Sequence, residues 1–199
     1  CALPILTDPA GGFYSAEDAD SVPPEQASGA SPHKMEGAFY IWRDAEIGQA
    51  LGADADIFRL RFGVLPDGNA PSDPQQEFTH KNLLYIARTV AEIAPLVGGS
   101  IADVETALAR STSVLLAVRA TRPRPHLDDK VITAWNGLAI GACARAARVL
   151  DEGAVYLASA QQAARFLLSQ LWDGTRLLRR YRRGEAGING YAEDYAYLI

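Results

Sequence analysis

Two long alanine-rich stretches constrain this 199-residue chain more than anything else in it. One is predicted as a helix from about Asp129 to Leu150, with Leu138, Ala142, Ala146 and Val149 near one face. The other follows the Asp151-Glu152-Gly153 turn and carries Tyr156, Ala160, Ala163 and Leu167 on a stripe. Apolar residues recurring every three or four positions specify a helix with one face to bury. Alanines on that face let two backbones approach closely. Joined by so short a turn, the two form an antiparallel αα-hairpin. Another helix is predicted from Ile101 to about Arg119, capped by Ser100 with Asp103 in its first turn, and Pro123 and Pro125 prevent its continuation. Beyond the second alanine-rich helix, Trp172-Asp173-Gly174 ends it, a small hairpin surrounds Leu177 and Tyr181, and Gly190-Tyr191 opens a helix that runs to Ile199. The expected class is therefore mainly α, stacked αα-hairpins with short β-hairpins. With a helix cut at Ile199 and no initiator methionine before Cys1, the chain is expected to be an incomplete part of a longer protein.

Residues 79–199 read as the helical hairpins of a single incomplete domain and residues 1–78 as its loop-rich part with short helices. Gly11-Gly12-Phe13-Tyr14-Ser15 leads into acidic Glu17-Asp18-Ala19-Asp20-Ser21, and Val22 to Pro32 has the Pro/Ser/Gly composition of a flexible insertion. The apolar run Gly37 to Trp42 is predicted as strand or extended chain. Asp44 is placed to cap a helix over Ala45 to Leu51 stopped by Gly52, and a second short helix covers Asp54 to Phe62 and ends at Gly63. Pro66-Asp67-Gly68-Asn69 and Pro71-Ser72-Asp73-Pro74 are turn sequences. Leu83 to Ile86 reads as a brief extended segment.

A net charge of -5 argues against nucleic acid as the main partner, because phosphate binding needs a dense positive surface. The basic run Arg176, Arg179, Arg180, Arg182, Arg183 alternates with Leu177, Leu178 and Tyr181, which suits the solvated side of a hairpin. No apolar stretch approaches the roughly 20 residues that cross a bilayer, and Cys1 to Leu6 is too short for a signal-peptide core, so no membrane partner is expected. Cys1 and Cys143 are far apart, and His33, His80 and His126 form no metal-spaced pair. No metal or other cofactor is expected. Cys143 reads as a buried inert thiol in a reducing cytoplasmic setting. Asp18-x-Asp20 lacks the glycine and final glutamate of a calcium loop, and no Gly-rich phosphate loop opens a helix.

Chemistry is expected around Arg122 to Asn136. The prolines stiffen Arg122-Pro123-Arg124-Pro125-His126 and reduce the entropy lost on presenting side chains to a ligand. His126 exchanges a proton near neutral pH, and a carboxylate a few residues on can orient it. Adjacent Asp128 and Asp129 project differently, one toward a pocket and the other toward a cap or Lys130. Trp135 offers a stacking surface and Asn136 a two-way hydrogen-bonding group. Three segments place acids at expected helix starts beside aromatics: Tyr14 with Glu17, Asp18 and Asp20; Asp128-Asp129 with Trp135; Tyr191 with Glu193-Asp194. Helices that start at one end crowd their acids and rings into a mouth suited to a polyol or sugar. The plainer reading stands beside it, since acids favour helix starts through capping and the macrodipole.

Several blocks carry a family resemblance: Gly11 to Ser21, Glu36 to Trp42, Lys81 to Tyr85, Arg122 to Lys130, Thr133 to Gly137 and Glu193 to Ile199. In this order they resemble the YyaL-like proteins, also described as spermatogenesis-associated, thioredoxin-domain-containing proteins. The resemblance implies the first half of a six-hairpin (α/α) toroid similar to glycosidases and N-acylglucosamine 2-epimerases. It also implies a linked thioredoxin-like domain outside this chain. The function that follows is carbohydrate-active: sugar binding, with epimerase- or glycosidase-type acid–base chemistry carried by His126, Asp128, Asp129 and Asp194. Tyr14, Glu17, Asp18, Arg124, Lys130, Trp135, Asn136 and Tyr191 would hold the sugar or sugar derivative. The alternative is a non-catalytic binding or scaffold domain that serves the thioredoxin-like one. It gains if the carboxylates are satisfied by backbone amides.

Overall fold

A computed structural model describes residues 5–29, 31–70, 73–74 and 76–198. Cys1, Ile199 and the Pro71-Ser72 half of the second turn sequence lie outside the described residues. In chain order the strands are β1 (Tyr14–Glu17), β2 (Asp20–Ser21), β3 (Met35–Glu36), β4 (Leu127–Ile132), β5 (Leu178–Arg182) and β6 (Glu185–Asn189). The helices are α1 (Asp44–Leu51), α2 (Ala55–Phe62), α3 (Val90–Leu96), α4 (Ile101–Ala120), α5 (Thr133–Val149), α6 (Gly153–Gln170) and α7 (Ala192–Leu198). The class is mainly α with short β-hairpins, as in a partial (α/α) toroid. Contacts divide the chain into two compact units, residues 1–18 with 127–199, and residues 19–126.

In the first unit, α5 and α6 form the expected helical hairpin. Gly153 stands so close to α5 that an added Cβ would collide with the Ala147 carbonyl. Ala160, Ala163 and Leu167 of the predicted α6 stripe are buried. The face of α5 is not the predicted one: Leu138 is 53% and Val149 79% exposed, while Thr133, Ala134, Asn136, Gly137 and Cys143 are buried. Small residues won over large apolar ones because α7 lies against Gly137, where a Cβ would strike the Tyr197 carbonyl. Cys143 packs with Phe13, Ala160 and Ala163, and burial pushes its thiol pKa up, as expected of an inert thiol.

Beside the hairpin lies an antiparallel sheet of order β1-β4-β5-β6. Tyr14 and Tyr181 flank Val131 in register, and the three join a core of Phe166, Leu167 and Leu171. The Phe166 and Tyr181 rings meet edge-on at 5.1 Å. This sheet corrects the expectation of a helix from Asp129. Leu127 to Ile132 is a strand: its β-branched end, Val131-Ile132, suits a pleat, and β1 and β5 supply its backbone partners. The helix begins only at Thr133.

In the second unit, Trp42, Ile47, Ala55, Phe58, Val64 and Leu115 form a core between α1, α2 and α4, and Ile93, Ala94 and Val104 form another. Ser100 caps α4 as predicted, its hydroxyl accepting from Asp103 N at 3.1 Å while the Asp103 carboxylate accepts from Ser100 N at 3.0 Å. Thr89 and Glu92 make the same box at α3, a helix that was not among the expected elements and that contains Pro95. α2 ends at Gly63 in the left-handed region, φ 66°. α1 begins at Asp44, one residue before the expected start, with Glu46 accepting from Arg43 N at 2.8 Å. The run Gly37 to Tyr40 is a turn rather than a strand: Tyr40 N and Ile41 N both donate to Gly37 O. Leu83 to Ile86 forms no strand.

Asparagines replace secondary structure in the loops. Asn82 accepts from Leu65 N (2.8 Å) and donates to Leu65 O (3.1 Å). Asn69 grips Leu83 in the same way, at 2.8 and 2.9 Å. Asn136 of the first unit grips Phe13, at 2.7 and 2.9 Å. A primary amide presents the acceptor and donor of a peptide edge, so each side chain acts as a one-residue strand and satisfies loop backbone that would otherwise need water. Among the described residues no helix is long and apolar enough to cross a membrane.

Candidate functional site

The first unit brings two of the acidic–aromatic segments to one carboxylate. Asp194, in the first turn of α7, is fully buried. Its Oδ1 accepts from Ala134 N at the start of α5 (3.0 Å), and its Oδ2 accepts from Tyr191 N at the start of α7 (2.8 Å). Two helix starts with positive dipole ends thus share one anion. Arg179 of β5 supplies the counter-charge, donating to Asp194 at 3.1 Å and to Glu193 at 2.6 Å. Its guanidinium also lies 4.7 Å from the centroid of the Tyr191 ring. Tyr191 is itself one of the two donors to the shared carboxylate, and Trp135 is the residue after the other, Ala134. Trp135 is 54% and Tyr191 59% exposed. Arg179 was not singled out by sequence reasoning, which took the basic run as a solvated face. The signal that could have found it is the acidic pair Glu193-Asp194 just beyond the hairpin.

The other acids hold other partners. Asp128 on β4 is ion-paired with Lys130 at 3.0 Å. Partial burial would raise its pKa, but the hydrogen bonds of Lys130 and Ser15 outweigh this and hold the carboxyl below its ordinary value. Asp129 accepts from Arg182 at 2.5 Å, with Arg183 at 3.8 Å, and the Arg182 bond holds its carboxyl low as well. A carboxylate held low is a weak general acid at neutral pH. Asn136 is 1% exposed, and its amide is spent on Phe13 and on Ile132 O (3.0 Å). Glu17 on β1 is half-buried and Asp18 exposed. Neither Asp18, Asp128 nor Asp129 begins a helix; of the three expected helix starts only Glu193-Asp194 does. His126 and Arg124 are exposed residues of the second unit, where the Arg124 guanidinium lies 5.1 Å from the Phe39 ring centroid. No cluster of His, Cys, Asp or Glu among the described residues could hold a metal ion.

Tyr14 donates to Asp8 at 2.9 Å, and its phenol is pushed up to about 12 by burial, then by the Asp8 bond and the charges of Asp8 and Asp129. A folded-state pKa above the unfolded value of about 10 favours the native state fully below that pH. This contribution is lost as pH rises through the folded value. Stability is therefore expected to fall between about pH 10 and 12, and Tyr14→Phe to flatten that fall. Chemical denaturation across this range measures it; an unchanged slope in the variant would exclude Tyr14 as its source.

Helical hairpins beside a small antiparallel sheet, with rings and acids at the shared start of two helices, define the chain as an α/α-hairpin protein. The chain is homologous to the YyaL-like proteins, with spermatogenesis-associated protein 20 among its relatives. It is 36% identical over 206 residues to an uncharacterized protein of Caenorhabditis elegans, with 95% of the chain and 28% of that relative covered. It is 34% identical over 216 residues to human spermatogenesis-associated protein 20 and 33% identical to the mouse protein, with 98% of the chain and 27% of each relative covered. The chain thus spans between a quarter and a third of the length of these relatives. No family model matches it.

Proposed function

We propose that this chain contributes a sugar- or polyol-binding surface to a carbohydrate-active (α/α) toroid. The observation that supports it is the Asp194 junction, which fixes two helix starts on which Trp135 and Tyr191 are exposed, the Tyr191 ring against Arg179 and Arg179 paired with Glu193. Sugar rings stack their C–H faces on such surfaces, and charged groups at the edge take the hydroxyls. In this reading Asp128, Asp129 and Asp194 balance charge and hold geometry, because each is already engaged. Asn136 and Tyr14 position the β1 end of the unit. A thermal-shift screen of the full-length protein with neutral sugars and polyols tests this. A stabilising sugar is expected, with the shift lost in Trp135→Ala and Tyr191→Ala. Asp128→Asn and His126→Ala are expected to keep that binding.

A second reading is favoured by the backbone amides that satisfy Asp194: a non-catalytic scaffold serving a linked thioredoxin-like domain in a cytoplasmic parent. No stabilisation by any sugar, together with unimpaired cellular function of Trp135→Ala and Tyr191→Ala, would decide for it.

A further inference from the structure

The second unit contains a charged cavity that the reading above does not use. With Glu25 in place it is tight, a cavity volume of about 10 Å³, and it is lined by Arg43, Lys81, Arg122, Glu25 and Glu46, with Pro24, Ala38 and Ile41. Three cations face two carboxylates across it. Segments far apart in sequence meet here. Asn82 and Trp42 exchange backbone hydrogen bonds (2.7 and 3.2 Å), which sets Lys81 next to the segment that follows the Gly37 to Tyr40 turn. Arg122 stacks 3.8 Å from the Trp42 ring centroid and donates to Phe39 O (3.0 Å) and Ile41 O (2.7 Å).

The ion pairs around this cavity are loose. Arg43 to Glu25 is 3.4 Å, Lys81 to Glu25 3.9 Å and Arg122 to Glu46 3.4 Å. Elsewhere in the same unit, Arg59–Asp44 and Arg110–Asp54 close to 2.6 Å. The Lys81 side chain is only 9% exposed, yet its ammonium has no hydrogen bond among the described residues. The ammonium is not among the fully buried polar atoms that lack a partner, so its aliphatic stem is enclosed while its charged end still meets solvent. The nearest oxygen, on Glu25, belongs to a side chain that is half exposed at the rim. Glu46, by contrast, is committed to the Arg43 amide at 2.8 Å.

We propose that this cavity is an oxyanion site for a phosphate group, in which Lys81, Arg43 and Arg122 bind the oxygens and Glu25 holds the place when it is empty. Phosphate offers Lys81 charged acceptors in place of solvent and the loosely held Glu25, and guanidinium and ammonium groups together are its usual partners. Entry requires Glu25 and Arg43, both about half exposed, to swing outward. Glu25 is thus an internal competitor, and its removal strengthens binding rather than weakening it.

The test is calorimetric titration of the full-length protein with inorganic phosphate and with glycerol phosphate, against sodium chloride at equal ionic strength. Saturable binding of inorganic phosphate is expected; tighter binding of glycerol phosphate would identify the source as the phosphate of an organic ligand. Glu25→Gln should tighten binding several-fold, and Lys81→Met should weaken it by about tenfold or more. If Lys81→Met does not fold, Arg43→Gln at the rim replaces it, with a loss in the same direction. Absence of saturable binding by either phosphate overturns the proposal. So does weaker binding in Glu25→Gln, which would make Glu25 a structural partner of Lys81 and not a competitor.

Discussion

Asp194→Ala is expected to lower the unfolding free energy by about 3 kcal/mol or more, because it breaks a buried pair and leaves several groups without partners. Ala134 N and Tyr191 N would lose their acceptor at two helix starts, and Arg179 would keep only Glu193 at the surface. Asp194→Asn separates charge from geometry. It keeps one oxygen for a helix amide, but presents an NH2 group to the other amide or to the guanidinium, so an intermediate loss is expected. Urea unfolding of the three proteins measures the series. Equal losses in both variants would show that the charge alone matters; no loss in either would remove Asp194 as the element that ties α5 to α7. The same substitution bears on function, since the faces of Trp135 and Tyr191 are set by the helix starts that Asp194 joins.

The hairpin of α5 and α6 was legible in the sequence because three-to-four periodicity and a short turn leave few alternatives, and Ser100 announced α4 by the chemistry of its cap. Strand β4 was not. Leu127 to Ile132 carries three charged residues, and its pairing with β1 and β5 joins segments more than a hundred and about fifty residues away, which local pattern cannot reveal. The same non-locality hid the face that α5 buries. Leu138 and Val149 look like core by periodicity, whereas Gly137 and Asn136 are buried because α7 and Phe13 approach there. For the candidate site, Asp194, Trp135 and Tyr191 could be picked out by residue type, but their junction at one carboxylate could not. Arg179 was passed over because alternation in a hairpin predicts a wet face, and only the fold shows Glu193 and Asp194 opposite it.

Two glycines of the helical hairpin should respond to alanine in opposite directions. At Gly153 the new Cβ meets the carbonyl oxygen and carbon of Ala147, and neither can yield by a change of rotamer. The backbones must separate, which loosens the contact along α5 and α6. Overpacking of this kind costs about 1–3 kcal/mol, and the upper part of that range is expected because the obstacle is backbone. Gly141 lies in the interior of α5 with nothing within 4 Å of the position its Cβ would take. Alanine there restricts the unfolded chain and favours the helix, so a gain of about 0.5–1 kcal/mol is expected. Thermal unfolding of the two variants, read beside the parent protein, checks both signs. If Gly153→Ala were neutral, the close approach of α5 to α6 would be wrong at the turn, and with it the reason the chain places glycine where the second helix begins.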